Sequence, residues 1–271
     1  MKLSFTTLGC PNWDLKTMVA RAVEYGFNGV DFRGYLGEMN IYELPEFSTE
    51  VEETRAQLQK ANLEVSCFSS SVRLFSQDVA ESEKEIRQYA RLCRLFNAKY
   101  IRVFGGKIGE VERGEAVKIV GENLMKLAES VRGHGVKLLI ETHDDWTTCE
   151  DVRSIIEQAD SDVVAVLWDT HHPYRMVGEE PETTWKALGS QIEYTHWKDS
   201  FQGRESHFHY CYMGEGDIPL KRIYNVLTKN HYTGWFTLEW EKKWHPEIEE
   251  PEKAFPQYVR YMRQLAEAGG E

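Results

Sequence analysis

Short runs rich in apolar and β-branched residues recur along the whole chain. Each is followed by a longer amphipathic, charged stretch with room for a helix. Strands are predicted at Leu3–Leu8, Gly29–Phe32, Glu64–Phe68, Tyr100–Phe104, Lys137–Glu141, Val163–Asp169, Ile192–Trp197 and Trp235–Trp240. Helix patterns lie between them. Ser48 to Ala61 opens with a Ser/Thr cap and acidic first turns, and Ser82 to Phe96 repeats apolar residues at Ile86, Tyr89, Ala90, Cys93 and Phe96. Val117 to Val131 and Pro251 to Ala268 follow the same spacing. Eight strand–helix pairs in 271 residues come to about 34 residues each, the size of a βα repeat. No Pro/Ser/Gly-rich linker and no low-complexity segment interrupts the alternation. The expected fold is therefore α/β, one domain over 1–271 built as a single (β/α)8 TIM barrel, with an open doubly wound sheet as the alternative. Neither G-x-G-x-x-G nor G-x-x-x-x-G-K-[ST] stands where the first strand meets its helix, so the phosphate fingerprints of the rival folds are missing.

Composition narrows the class. With 41% hydrophobic and 28% charged residues the chain reads as globular, and no run approaches the roughly 18 apolar residues of a membrane span. The first residues lack the basic and apolar regions of a secretory signal, which points to a cytoplasmic protein. Cys10, Cys67, Cys93, Cys149 and Cys211 are scattered, an odd number without a CxxC pair, and are expected to be reduced thiols. The formal net charge of −12 repels a phosphate backbone at long range. No nucleic-acid or membrane partner is expected, and small-molecule chemistry leads.

Four late strands end in a side chain able to bind a metal: Glu141, Asp169, His196 and Glu239. They stand 28, 27 and 43 residues apart, so each step advances one βα unit and returns to the same end of a barrel. Strand parity puts Glu141 with Leu139 and Asp169 with Leu167 on the inner face, while Ile140 and Trp168 point to the helices. Trp197 and Trp240 share that outward parity. Three clustered carboxylates repel one another unless a cation joins them, and mostly oxygen donors with one imidazole suit one divalent ion. Mn²⁺ is preferred over Mg²⁺, Co²⁺ or a high-coordinate Zn²⁺. His143 and His171 fall at loop positions that suit either supporting hydrogen bonds or the surface; His134, His231 and His245 sit in turns or helix ends.

The run from Glu141 to Glu239 resembles the xylose isomerase-like TIM barrel superfamily, in its sugar isomerase/epimerase branch. That branch includes tagatose 3-epimerase-like, hydroxypyruvate isomerase-like and inosose isomerase- or dehydratase-like enzymes. The resemblance covers essentially the whole chain. It is carried by the fifth-strand Glu141, by Asp169-x-x-His172, by His196-x-Lys198-Asp199, by the Gly214-Glu-Gly-Asp turn and by Leu238-Glu239-Trp240. It implies that Glu141, Asp169, His196 and Glu239 hold the metal, that Glu141 and Glu239 form the acid/base pair, and that His172 contacts substrate oxygens. An Arg after the seventh-strand His is also implied, and Arg204, at a longer spacing, is the nearest candidate.

The expected function is a divalent-metal-dependent isomerase or epimerase of a ketose or polyol-derived sugar, in carbohydrate metabolism. One glutamate removes the proton next to a carbonyl, the cation holds the enediolate, and the other glutamate returns the proton. By parity Arg33 and Arg102 are candidates for hydrogen bonds to substrate hydroxyls or a carboxylate, or for buried partners of an acid. Lys198 shares the parity of His196 and is a candidate to neutralise an enolate oxygen. Cys10 and Trp13 are expected at the mouth of the site, and the apolar and aromatic residues Trp13, Phe208 and Tyr210 suit a sugar site or a subunit contact. The alternative is a dehydratase of a cyclic polyol or shikimate-like acid, which uses the same metal and base. An apurinic endonuclease of the same superfamily needs early-strand histidines, and all nine histidines lie at or beyond His134. The resemblance also suggests a homodimer or homotetramer.

Overall fold

The predicted strands pair side by side and in parallel. In the computed structural model, which describes residues 1–76, 78–203 and 207–268, β1 (Lys2–Thr6), β2 (Gly29–Phe32), β3 (Glu64–Arg73), β4 (Tyr100–Phe104), β5 (Lys137–Glu141), β6 (Val164–Asp169) and β7 (Ile192–Trp197) succeed one another around a barrel. An antiparallel ribbon of β8 (Asp199–Gln202) and β9 (Phe208–Cys211) follows, before β10 (Trp235–Leu238) closes the barrel between β7 and β1. The open-sheet alternative is thereby excluded. The ribbon was not foreseen; its run Phe208–Cys211 is short, half-exposed and follows a polar stretch, so it carries no core-strand signature.

Helices wrap the outside: α1 (Leu15–Tyr25), α2 (Val51–Lys60), α3 (Val79–Phe96), α4 (Arg113–Ala128), α5 (Cys149–Ile156), α6 (His172–Val177), α7 (Pro181–Leu188), α8 (Leu220–Lys229) and α9 (Pro251–Ala268). Their ends are set locally. Asp14 accepts the Thr17 N–H at 2.7 Å to start α1, and Gly26 stops it at φ +86°, a left-handed conformation that favours glycine. Asp78, Glu112 and Thr148 cap α3, α4 and α5 in the same way. The cap expected at Ser48 is not formed. Its hydroxyl donates to Leu44 O at 2.7 Å, and α2 begins after Glu50 instead. α4 likewise starts at Arg113 rather than Val117, because Glu112 supplies the cap.

Side-chain parity divides the core in two. Cys67, Leu139, Ala165, Leu167, Tyr194 and Trp235 form a cluster inside the barrel. Ile140, Trp168, Trp197 and Trp240 belong to the larger layer between strands and helices, as their alternation with inward residues predicts. α8 shows the logic: Ile223, Tyr224 and Leu227 lie on one face at helical spacing and are buried, each stabilising the fold by about 2 kcal/mol. Trp168 is 1% exposed, and Trp168→Ala would cost about 3–5 kcal/mol through the cavity it leaves. All five cysteines carry free thiols. Among the described residues no helix is long and apolar enough to cross a membrane.

Candidate metal centre

At the C-terminal end of the barrel the inward positions turn polar. Glu141 ends β5, Asp169 ends β6, His196 lies in β7 and Glu239 follows β10, and register keeps the ends level: Asp169 pairs with His196, and His196 with Thr237. One donor atom from each of the four lies within 4.8 Å of the others, and all four side chains are buried. The parity argument from the sequence thus brings together the residues it named.

The donors are oriented by their neighbours. Asp169 Oδ1 accepts the backbone N–H groups of His171 (2.8 Å) and His172 (3.0 Å), which leaves Oδ2 turned to the cluster, ion-paired with Lys198 at 2.7 Å. Glu141 Oε1 lies 2.9 Å from His196 Nδ1, while Oε2 faces Arg102 Nε at 3.2 Å but is not aligned for a hydrogen bond. Glu239 Oε1 is 3.2 Å from the same His196 Nδ1. Two carboxylates therefore converge on one imidazole nitrogen with Asp169 beside them, and Asp169 Oδ2 and Glu141 Oε2 each have a cation near but no aligned hydrogen bond. Such lone pairs are costly in a dry interior and fit one divalent cation with mixed O/N ligation. A second grouping, Asp169 with His171 and His172, shares Asp169.

Electrostatics follow the packing. Burial opposes ionisation of Glu239, but Lys198 and His196 outweigh it and hold the carboxyl well below its usual range. Burial likewise opposes ionisation of Glu141, with Arg102 tipping the balance downward. Asp169 goes the other way: burial raises it to about 6, Lys198 only partly offsets this, and Glu239 and Glu141 add repulsion. Although burial disfavours its cation, His196 is driven well above 6.5 by Glu239, Glu141 and Asp31. His171 and His172 are held well below 6.5, first by burial and then by Lys198.

The remaining candidates separate. Lys198, expected on the inner face, is fully buried; its ammonium contacts Asp169 Oδ2 at 2.7 Å, Glu241 Oε1 at 3.0 Å and Glu239. Arg102 is buried, donates to Ser70 O at 3.1 Å and stacks over Phe104 with its guanidinium carbon 3.7 Å from the ring centre. His172 stands over Asp169 at 3.3 Å, edge-on to His143. His171 is buried against Ser200 Oγ at 2.8 Å, a supporting rather than a surface position. A cavity of ≈ 240 Å³ opens above the cluster, lined among others by Arg33, Arg102, His143 and Glu239. Trp13 does not reach the cluster. Its ring packs edge-on against Phe255 and its indole donates to Glu252 at 3.1 Å, pinning α9 to the barrel, because the chain after β1 turns outward in a short 3₁₀ segment before α1. Arg204 lies outside the described residues. Phe208 and Tyr210 pack around His171. A larger hollow of ≈ 620 Å³ lies at the opposite end of the barrel, beside Lys2, Glu64 and Trp235, far from the four donors.

One contributor was not singled out from the sequence, and another was named there only as part of a motif. Asp31, in β2, accepts from or donates to nothing on its own strand but places Oδ2 3.1 Å from His196 Nε2; a buried acid inside the apolar run Gly29-Val-Asp-Phe was the available signal. Asp199 explains the Gly-Glu-Gly-Asp turn: its Oδ2 accepts N–H from Gly214 (2.9 Å) and Gly216 (3.0 Å), and Oδ1 accepts from Ser200 at 2.8 Å. A Cβ on Gly216 would lie 2.2 Å from that carboxylate, so the turn has room only for glycine. The turn is thus fastened beside Lys198.

Comparison with known proteins agrees with this architecture. Residues 19–265 match the family model described as xylose isomerase-like TIM barrel. A curated relative, the inosose dehydratase of Clostridium botulinum (strain Alaska E43 / Type E3), is 23% identical, with 98% of this chain and 97% of the relative covered. Among solved structures, the IOLI protein with a binding zinc atom superposes with a TM-score of 0.83 at 17% identity, covering 99% of both chains. A D-tagatose 3-epimerase-like protein superposes at 0.79 and 16% identity, covering 100% of this chain and 98% of that one. At these identities the structural likenesses speak for the fold.

Proposed function

The chain belongs to the xylose isomerase-like TIM barrel family, and from that premise we propose that it is a divalent-metal-dependent isomerase or epimerase acting on a polyhydroxylated ketone. The observation that carries this reading is the placement of Glu141 and Glu239 at 2.9 Å and 3.2 Å from one nitrogen of His196, each beside its own buried cation. Glu141, Asp169, His196 and Glu239 would hold the ion. When bound, the ion supplies positive charge that makes a carbonyl oxygen a better electron sink, Mn²⁺ being the preferred species.

The chain's own residues account for the proton transfers. Arg102 and Lys198 keep Glu141 and Glu239 ionised, as a base must be before it takes a proton from carbon. One ionised glutamate takes the proton next to the carbonyl; the other first takes up a proton from a substrate hydroxyl or from water and then gives it to carbon, on the same face for an aldose–ketose shift or on the opposite face for epimerisation. Lys198 is placed to balance negative charge growing on a substrate oxygen beside Glu239, and His172 to bond a substrate hydroxyl. The barrel walls exclude water around the acid/base pair, since both carboxylates are nearly inaccessible.

A dehydratase is the second reading. The full-length relative named inosose dehydratase favours it, as does an ammonium group at Lys198 that can protonate a departing hydroxyl. Both readings begin with the same proton abstraction. The test follows the Mn²⁺-loaded protein with ketoses, inososes and hydroxypyruvate by NMR in deuterated water. Deuterium entering one carbon with mass otherwise conserved supports the isomerase/epimerase, loss of water supports the dehydratase, and no exchange with any compound overturns both.

A further inference from the structure

The cavity above the carboxylates has a second, cationic wall. Arg33, just after β2, and Arg73, at the end of β3, both line it, next to Arg102. Arg33 is 8% exposed, and a buried guanidinium is costly unless an anion or several acceptors meet it. Its only acceptor from the described side chains is Ser71 Oγ at 3.0 Å, and among the described residues it forms no ion pair. The acids on the cavity are already engaged elsewhere: Glu239 and Glu241 with Lys198, and Asp144 with His143 at 3.1 Å. Arg73 is likewise without an ion pair among the described residues, although the strand carrying it slips register between Ser69 and Arg73 and so brings it level with Phe104 on the cavity rim. Two guanidinium groups with free donors thus face one small space, and a third is stacked on Phe104 beside them. Burial, and after it the charge of Arg102, lowers Arg33 to about 10. It still carries its full charge at neutral pH, and although Glu239 and Glu141 attract it through space, no carboxylate among the described residues lies within ion-pair distance of its donors.

We propose that Arg33 and Arg73 form an oxyanion subsite, so that the substrate carries a carboxylate or phosphate at the end remote from the carbon that loses its proton. Planar guanidinium groups match both oxyanions through paired N–H···O contacts, and an anion seated there replaces the missing counter-charge. The inference rests on the proton-transfer reading for the chemistry at the metal end. It adds that neutral ketoses and neutral cyclic polyols are poor substrates. Discrimination arises because a neutral compound leaves the buried Arg33 donors unpaired, which a well-built polar site penalises strongly.

The experiment uses the Mn²⁺-loaded full chain and two probes. First, inorganic phosphate and acetate are titrated at constant ionic strength, with chloride as control, and protection against thermal unfolding is read for wild type, Arg33→Met and Arg73→Gln. Arg73 is exposed, so Arg73→Gln keeps the test valid should Arg33→Met fold poorly. Second, exchange of the α-proton with deuterium is measured on pairs that differ in charge: a ketose against its terminal phosphate monoester, and a cyclic polyol ketone against a ring hydroxyketone bearing a carboxylate. The expected result is protection by an oxyanion that either variant weakens, and exchange that favours the anionic member of a pair. Each substitution should raise KM for that member by about tenfold or more with a smaller change in kcat. The phosphate and carboxylate pairs tell which oxyanion is meant. Equal protection of wild type and both variants, or preference for the neutral members, overturns the subsite and leaves the proton-transfer reading intact. Exchange in no compound, with oxyanion protection still lost in the variants, supports the subsite and overturns that reading.

Discussion

His196 Nε2 lies 3.1 Å from Asp31 Oδ2, two residues 165 apart in sequence whose side chains have no solvent exposure. With Nε2–H donating to Asp31, Nδ1 is the nitrogen that faces Glu141 and Glu239 and would bind the metal. Tyr194 supports Asp31 in turn, its hydroxyl donating at 3.3 Å. A carboxylate behind a metal-binding imidazole fixes both its tautomer and its ring orientation.

Asp31→Asn should therefore weaken Mn²⁺ binding by about 10- to 100-fold while the barrel stays folded. Calorimetric titration of metal into the metal-free variant, with circular dichroism as a fold control, measures it. Affinity equal to wild type would show that Asp31 does not orient His196.

Removing the ammonium of Lys198 leaves Glu239, Asp169 and Glu241 facing one another in a buried space. Lys198→Met should destabilise the metal-free protein by about 3–5 kcal/mol, the cost of uncompensated buried charge. Added Mn²⁺ should restore part of that loss, because it replaces the missing positive charge. Denaturant titrations with and without metal read both effects, and a variant as stable as wild type without metal would contradict the assigned charge balance.

Glu239→Gln and Glu141→Gln each keep the side-chain volume and remove a base. Each should lower the rate of α-proton exchange by about 10²- to 10⁴-fold, the usual worth of a positioned acid/base group. Metal content, measured alongside, separates lost chemistry from lost ion. Full-rate exchange in both variants would remove the pair from the mechanism.

Metal uptake should strengthen as pH rises. His196, with its proton affinity raised above 6.5 by Glu239, Glu141 and Asp31, and Asp169, raised to about 6, both bind protons that a cation must displace. The sign for folding is the same at both groups. Their protonated forms stabilise the metal-free fold below the unfolded values, and that contribution fades as pH climbs through the folded ones. His171 and His172, held well below 6.5, pull the stability of the metal-free protein the other way, so the readout is the metal's own effect: between pH 6 and 8 Mn²⁺ should stabilise the protein increasingly, with proton release on binding seen by an indicator dye. Uptake independent of pH across that range would contradict these protonation states.

Much of the centre was legible in the chain because periodicity and spacing are local or additive properties. Glu141, Asp169 and His196 each follow inward-facing apolar residues on a strand, and steps of one βα unit bring such ends back to one rim. Lys198 was legible in the same way. Asp199 and the Gly214–Asp217 turn were visible as a motif, but not as one hydrogen-bonded unit. Asp31 was passed over as a functional residue because its meaning depends on a partner five repeats away.

By itself, then, the order of apolar and polar residues determined the eight barrel strands and which four side chains face inward at their ends, with closure favoured over an open sheet. Closure decided the rest: it set Asp31 behind His196, buried Lys198 among three carboxylates, gathered Arg33 and Arg73 from adjacent repeats onto one wall, and turned Trp13 into the helix layer. These pairings join segments far apart in the chain, and their strength comes from exclusion of water around them. Neither distance across the barrel nor local polarity exists before the eight strands meet.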